Sequence, residues 1–180
     1  MDPMLGLVGV AKLLFGILVG VVGITIASRV ATRLAGFSSI DDGLRAGNSA
    51  IGVVVAGSIL SMAILVQHAV RGTFGALDLL MRVSQSVGSV FWVFAYAAAH
   101  VAAALGVGVA LLVIGSRAFI RMTPEVDEVS EIRDGNLASA LVLAAVLVAL
   151  ALLAQQGVET MLNGLLPLPR LGRDGMIAPG

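Results

Sequence analysis

SRVATRLAGFSSIDDGLRAGN (residues 28–48) and SRAFIRMTPEVDEVSEIRDGN (residues 116–136) are polar stretches set between long apolar runs, and they lie 88 residues apart. Ser28-Arg29 falls on Ser116-Arg117, Arg33 on Arg121, and Arg45-x-Gly47-Asn48 on Arg133-x-Gly135-Asn136. The match continues outward without a gap: Val19-Gly20-Val21 falls on Val107-Gly108-Val109, Gln67 on Gln155 and Arg82 on Arg170. Residues 1–88 and 89–176 therefore read as two copies of one unit, each an apolar segment, a polar segment, a second apolar segment and an amphipathic tail.

Apolar residues make up 58% of the chain and charged residues 12%, about half the charged share of a soluble domain. Charge-free gaps at 13–28, 46–70, 83–116 and 135–158 are each long enough to cross ~30 Å of hydrocarbon at ~1.5 Å per helical residue. The runs are solidly apolar rather than alternating, which excludes a barrel and leaves helices to satisfy the backbone in lipid. Four transmembrane helices are expected near 6–28, 49–69, 90–116 and 136–157. There is no cysteine, so disulfides and thiolate metal sites are excluded. The start, MDPMLGLVGV, has no basic n-region, so a cleaved signal peptide is not expected. Zero net charge offers no surface for nucleic acid.

Two crossings per copy return the chain to its starting side, so both halves insert with the same orientation, and their symmetry axis runs along the membrane normal. Residues 29–47 and 117–135 then share one side. Arg29, Arg33, Arg45, Arg117, Arg121 and Arg133 lie there, against Lys12, Arg71, Arg82, Arg170 and Arg173 on the other. The positive-inside rule places both segments in the cytoplasm and both termini outside. A short cytoplasmic helix is expected in each segment. Ser39 with Asp42 resembles a capping box in the first, and Thr123-Pro124 resembles an N-cap and N1 proline in the second. Phe91, Trp92, Phe94 and Tyr96 mark the outer membrane interface. Residues 71–83 and 159–170 are expected to lie in that interface as amphipathic segments, and the last ten residues to form a loose tail.

The pattern acidic–Ile/Leu–Arg–x–Gly–Asn followed by a small-residue apolar helix appears in SEIRDGNLASALVLAAVLVALALL (130–153). It recurs in IDDGLRAGNSAIGVVVAGSIL (40–60), where Gly43 replaces Glu131. This resembles the bacterial membrane family catalogued as domain of unknown function 350, over nearly the whole chain. The resemblance implies a four-helix inner-membrane protein in a membrane-stress or transport context, and it carries over no catalytic residue.

Six polar residues fall at matched positions in or beside the spans. Lys12 and His100 are equivalent in the two copies, each about 24 Å of helix from Ser28 or Ser116. They flank an ion path or vestibule; the alternative is a snorkelling lysine and a neutral histidine bonded to a carbonyl. Asn48 and Asn136 line a polar constriction or bond across helices, or else cap the second and fourth spans. Gln67 and Gln155 bond between helices or meet headgroups. At the cytoplasmic rim, Arg45 and Arg133 lie beside Asp41, Asp42, Glu131 and Asp134, as fixed ion pairs, a docking surface or a solvated face. The acidic run Glu125, Asp127, Glu128 and Glu131 matches no metal-binding loop, so no metal or cofactor is assigned. Gly16-x-x-x-Gly20 and the alanines at 97–99 and 102–104 read as helix contact surfaces.

No phosphate loop, paired-histidine helix or nucleophile elbow is present, so an enzyme is not expected. The leading expectation is a homo-oligomeric inner-membrane protein that forms or gates a small ion or solute pathway, with membrane lipid around it. The competing one is a non-conducting scaffold or transporter accessory subunit that docks a soluble stress-response partner through its cytoplasmic loops.

Overall fold

A computed structural model describes residues 3–37, 39–81, 87–122, 127–167, 170–171 and 177–178. The order is α1 (Pro3–Leu34), α2 (Ile40–Arg45), α3 (Ser49–Met81), α4 (Val87–Met122), α5 (Glu128–Arg133) and α6 (Leu137–Leu165). Then come β1 (Arg170–Leu171) and β2 (Ile177–Ala178). Four of these helices, α1, α3, α4 and α6, are long and apolar enough to cross a membrane, so the chain is a multi-pass membrane protein.

The long helices outrun the expected spans. The interfacial segments at 71–83 and 159–170 do not stand apart: residues 71–81 continue α3 and residues 159–165 continue α6. The buried stripe explains this, because Ala69, Thr73 and Ala76 extend α3's i, i+4, i+7 face past exposed Arg71, and Val158 and Leu162 do the same in α6. At 33 residues α3 is about 50 Å long, so its ends project beyond ~30 Å of hydrocarbon. The tail is likewise not wholly loose. Arg170 pairs with Ala178 and Leu171 with Ile177 in a short antiparallel ladder, and β2 packs on α4.

Local chemistry sets the helix ends. Ser39 accepts the Asp42 N–H at 3.2 Å and starts α2, as its capping signature predicts. In the second half Asp127 accepts the Ser130 N–H at 3.2 Å and starts α5, while Thr123-Pro124 and Glu125 lie outside the described residues. Gly47 and Gly135 then adopt φ of +68° and +91°, and the next N–H, of Asn48 or Asn136, bonds back to Gly43 or Glu131. Each Gly-Asn pair therefore ends one helix in a left-handed turn and opens the next.

The helix α3 is central. Some 56% of its membrane window is buried, against 11% for α1. It runs antiparallel to α1, with Lys12 at Asp78 and Gly23 at Met62, and antiparallel to α4, with Gly72 at His100 and Gly108 at Met62. It runs in the same direction as α6, since Gly57 meets Ala144 and Gln67 meets Gln155. A Cβ on Gly57 would sit 2.6 Å from that of Ala144, so the glycine sets the closest approach of α3 to α6. Ile51, Met62, Leu65, Leu112 and Leu147 fill the interior among the four helices.

Candidate functional site

The motif residues meet at the loop end of the bundle. Asn48 accepts the Ile51 N–H at 3.2 Å through Oδ1, and Nδ2 donates to the carbonyls of Ile132 at 3.0 Å and Arg133 at 2.9 Å. It therefore caps α3 and fastens it to the end of α5 in the other half. Asn136 stays within its own half. Its Oδ1 accepts the Ala138 N–H at 3.0 Å, and its Nδ2 donates to Glu131 at 2.6 Å. The Gly43-for-Glu131 difference has a steric reason: a Cβ at Gly43 would lie 2.6 Å from Ile51 Cγ2, so α2 lies flatter on its helix than a side chain would allow. Asp41, Asp42, Arg45, Arg133 and Asp134 are exposed, Glu131 is half-buried, and the stem of Arg133 covers Gly36 at the end of α1. Glu128 lies in the first turn of α5, where its sequence position suits a helix N-terminus, but it is buried there, which the sequence did not indicate.

Lys12 and His100 are equivalent in sequence but not in surroundings. Lys12 Nζ lies 2.6 Å from Asp78 Oδ1 and 5.5 Å from the centre of the Phe74 ring, at the far end of the α1–α3 contact. His100 is buried between α4 and α3, its ring 4.8 Å from that of Tyr96. It forms one wall of a cavity of about 250 Å³ lined also by His68, Arg71, Gly72, Glu159, Leu162 and Asn163.

The cavity assembles because three helices bring polar groups to one level. From α3, His68 Nδ1 faces Glu159 Oε2 of α6 at 3.2 Å. Beside it Arg71 donates to Gln67 at 3.3 Å, and Gln67 donates to Gln155 at 3.5 Å. From α4, His100 and the Tyr96 hydroxyl lie over Gly72, where a Cβ would come within 3.2 Å of His100 Nε2 and 3.3 Å of that hydroxyl. Only glycine lets the two rings reach α3. His68 Nε2, His100 Nδ1 and the Tyr96 hydroxyl are buried without a protein partner. Leaving such groups dry costs about 1–3 kcal/mol each, so the site is built to hold water or a small polar solute. Two imidazoles, a phenol, a carboxylate and a guanidinium can pass protons or grip a hydrogen-bonding guest.

Tyr96 corrects the interface reading. Phe91, Trp92 and Phe94 point outward, but Tyr96 is buried because it shares the face of Val93, His100 and Ala104 at helical spacing. The small-residue reading also shifts. Among the described residues no other helix lies within 4 Å of a Cβ placed on Gly16 or Gly20, and Gly57 and Gly108 make close contacts instead. Of the alanines, 97 and 104 are buried, whereas 98, 99 and 102 are exposed. Arg71, Glu159 and Asn163 were not singled out from sequence for this cavity. A signal existed: Gln67/Arg71 and Gln155/Glu159 are i, i+4 polar pairs at matching positions, and Asn163 adds one more turn.

Residues 94–168 match the family described as Domain of Unknown Function (DUF350), the family that the Arg-x-Gly-Asn pattern points to. The matched stretch takes in most of α4, all of α5 and α6, and the His100 and Glu159 walls of the cavity. No curated protein and no solved structure matches the chain.

Proposed function

We propose that this DUF350-containing membrane protein is a subunit of a homo-oligomer in the bacterial inner membrane, and that the assembly forms or gates a small ion or solute pathway. The carrying observation is the cavity of His68, Arg71, His100 and Glu159, a wettable chamber in a bundle whose interior holds buried Met62, Leu65 and Leu147. These apolar side chains give an ion nothing to replace its water inside one chain. A route for polar solutes therefore runs between subunits, with the cavity as its mouth or gate. The halves are taken as like-oriented copies with the α2 and α5 ends in the cytoplasm, a reading the same-direction run of α3 and α6 supports. Purified protein sealed into liposomes is expected to raise flux of protons, small cations or small anions above empty vesicles. No flux of any of them across pH and voltage removes the reading.

A second reading has its own observation. At the loop end a groove of about 300 Å³ is lined by Ser28, Arg29, Thr32, Arg33 and Ser39. Such a basic, polar groove suits a scaffold or accessory subunit that docks an acidic segment of a soluble stress-response partner. Arg29→Ala with Arg33→Ala is then expected to abolish partner capture while leaving the fold intact by circular dichroism.

A further inference from the structure

We infer that the open faces of α1 and α6 are the two sides of one contact between copies of this chain, with α1 of one copy packing on α6 of the next as α4 packs on α3 within a chain. The inference rests on the oligomeric reading above and specifies its geometry. Adding 88 to each α3 position gives the equivalent position in α6. On α3 the face against α4 and α6 is sealed, with Leu65 at 0% exposure and Val54 at 1%. On α6 the same positions are bare, with Leu153 at 82% and Val142 at 53%. The partner side shows the same contrast. Gly108 of α4 is in contact with Met62 of α3, whereas its counterpart in α1, Gly20, has nothing within 4 Å. Leu112 is buried and its counterpart Ile24 is half open.

One contact therefore occurs inside the chain whose equivalent is missing, and both of its faces are largely left over, Leu150 touching Gly115 of α4 along one edge. They are not on one chain in reach of each other, because α1 packs on α3 and α4 rather than on α6. A second copy supplies the missing half. The direction fits, since α1 is antiparallel to α3 and α3 runs with α6, so like-inserted copies bring α1 to α6 antiparallel, as α4 meets α3. The level fits too. Met62 touches both Gly23 and Gly108, and α3 and α6 are in register through Gln67 and Gln155. Leu150, the counterpart of Met62, therefore stands at the height of Gly23, three residues or about 4.5 Å of helix from Gly20, so copies join with an offset of less than one helical turn. Such a head-to-tail contact uses different faces on its two sides and closes into a ring if its rotation allows.

The chain has no cysteine, so disulfide trapping in the membrane is clean. In the full-length double variant Gly20→Cys/Leu150→Cys, oxidation is expected to give a ladder of dimers and higher species, with neither single variant giving more than a trace. Met62→Cys/Gly108→Cys is expected to close within one chain and give no ladder. Gly20→Phe fills space that is open in a single chain. It is expected to leave the melting temperature of the detergent-dispersed monomer unchanged and to reduce the native mass in nanodiscs to that of one chain. An oligomer in nanodiscs that gives no ladder overturns the contact while leaving the pathway reading standing, and so does a single variant that crosslinks as strongly as the double. A ladder without flux upholds the contact and removes the pathway. A wild-type monomer in nanodiscs overturns both.

Discussion

Gly57→Val tests a helix contact in which backbone, not only a side chain, stands in the way. A Cβ there would lie 2.6 Å from Ala144 Cβ and 2.9 Å from Ala144 Cα. Carbon atoms rest at about 3.5–4.0 Å, so α3 and α6 must part by roughly 1 Å, and no side-chain rotation relieves a clash with backbone. Overpacking of this kind costs about 1–3 kcal/mol, with the immovable backbone placing this site near the top of the range. Replacing glycine in a helix returns about 0.4 kcal/mol. The net expected loss is about 2–3 kcal/mol, a fall in melting temperature of roughly 5–10 °C for a chain of this size. Thermal unfolding in mild detergent, followed by circular dichroism, reads it. Gly106→Val, where nothing lies within 4 Å, is the control and should shift little. Ala144→Gly should recover part of the loss in the double variant, because the nearer of the two clashing atoms is gone. If Gly57→Val melts with the control, or Ala144→Gly adds to the damage, the same-direction packing of α3 on α6 is refuted.

Asn48→Ala should destabilise by about 2 kcal/mol, because it removes a cap and two bonds across the halves, whereas Asn136→Ala should cost about 1 kcal/mol; paired denaturant titrations compare them. Gly135→Ala should cost about 1–2 kcal/mol through its φ of +91° alone, since no atom crowds the site, and Gly47→Ala should match it. His100→Phe should leave stability equal or higher, because it removes a buried polar ring whose Nδ1 has no protein partner, yet it should cut liposome flux several-fold by drying the cavity.

The chain's own composition settles much of this fold. Charge-free runs that long have one stable form in lipid, so the four spans follow from solvent physics alone. The Gly-Asn turns are equally local: a left-handed residue that only glycine adopts freely, then an amide that caps, can be read at Gly47-Asn48 and Gly135-Asn136 without knowing what surrounds them. Lys12 and His100 show where local reading stops. They are equivalent in the repeat, yet one lies against Asp78 and Phe74 while the other is buried against Tyr96 and Gly72. Which neighbours an apolar helix takes is decided by shape, because lipid chains attract leucine as well as another helix does, and fit at Gly57, Gly72 and Gly108 makes the difference. Shape is a property of several helices at once. The cavity, the central place of α3, the extension of α3 and α6 beyond their expected ends and the bare faces of α1 and α6 therefore belong to the tertiary structure, while the four spans and the Gly-Asn turns between them belong to the sequence.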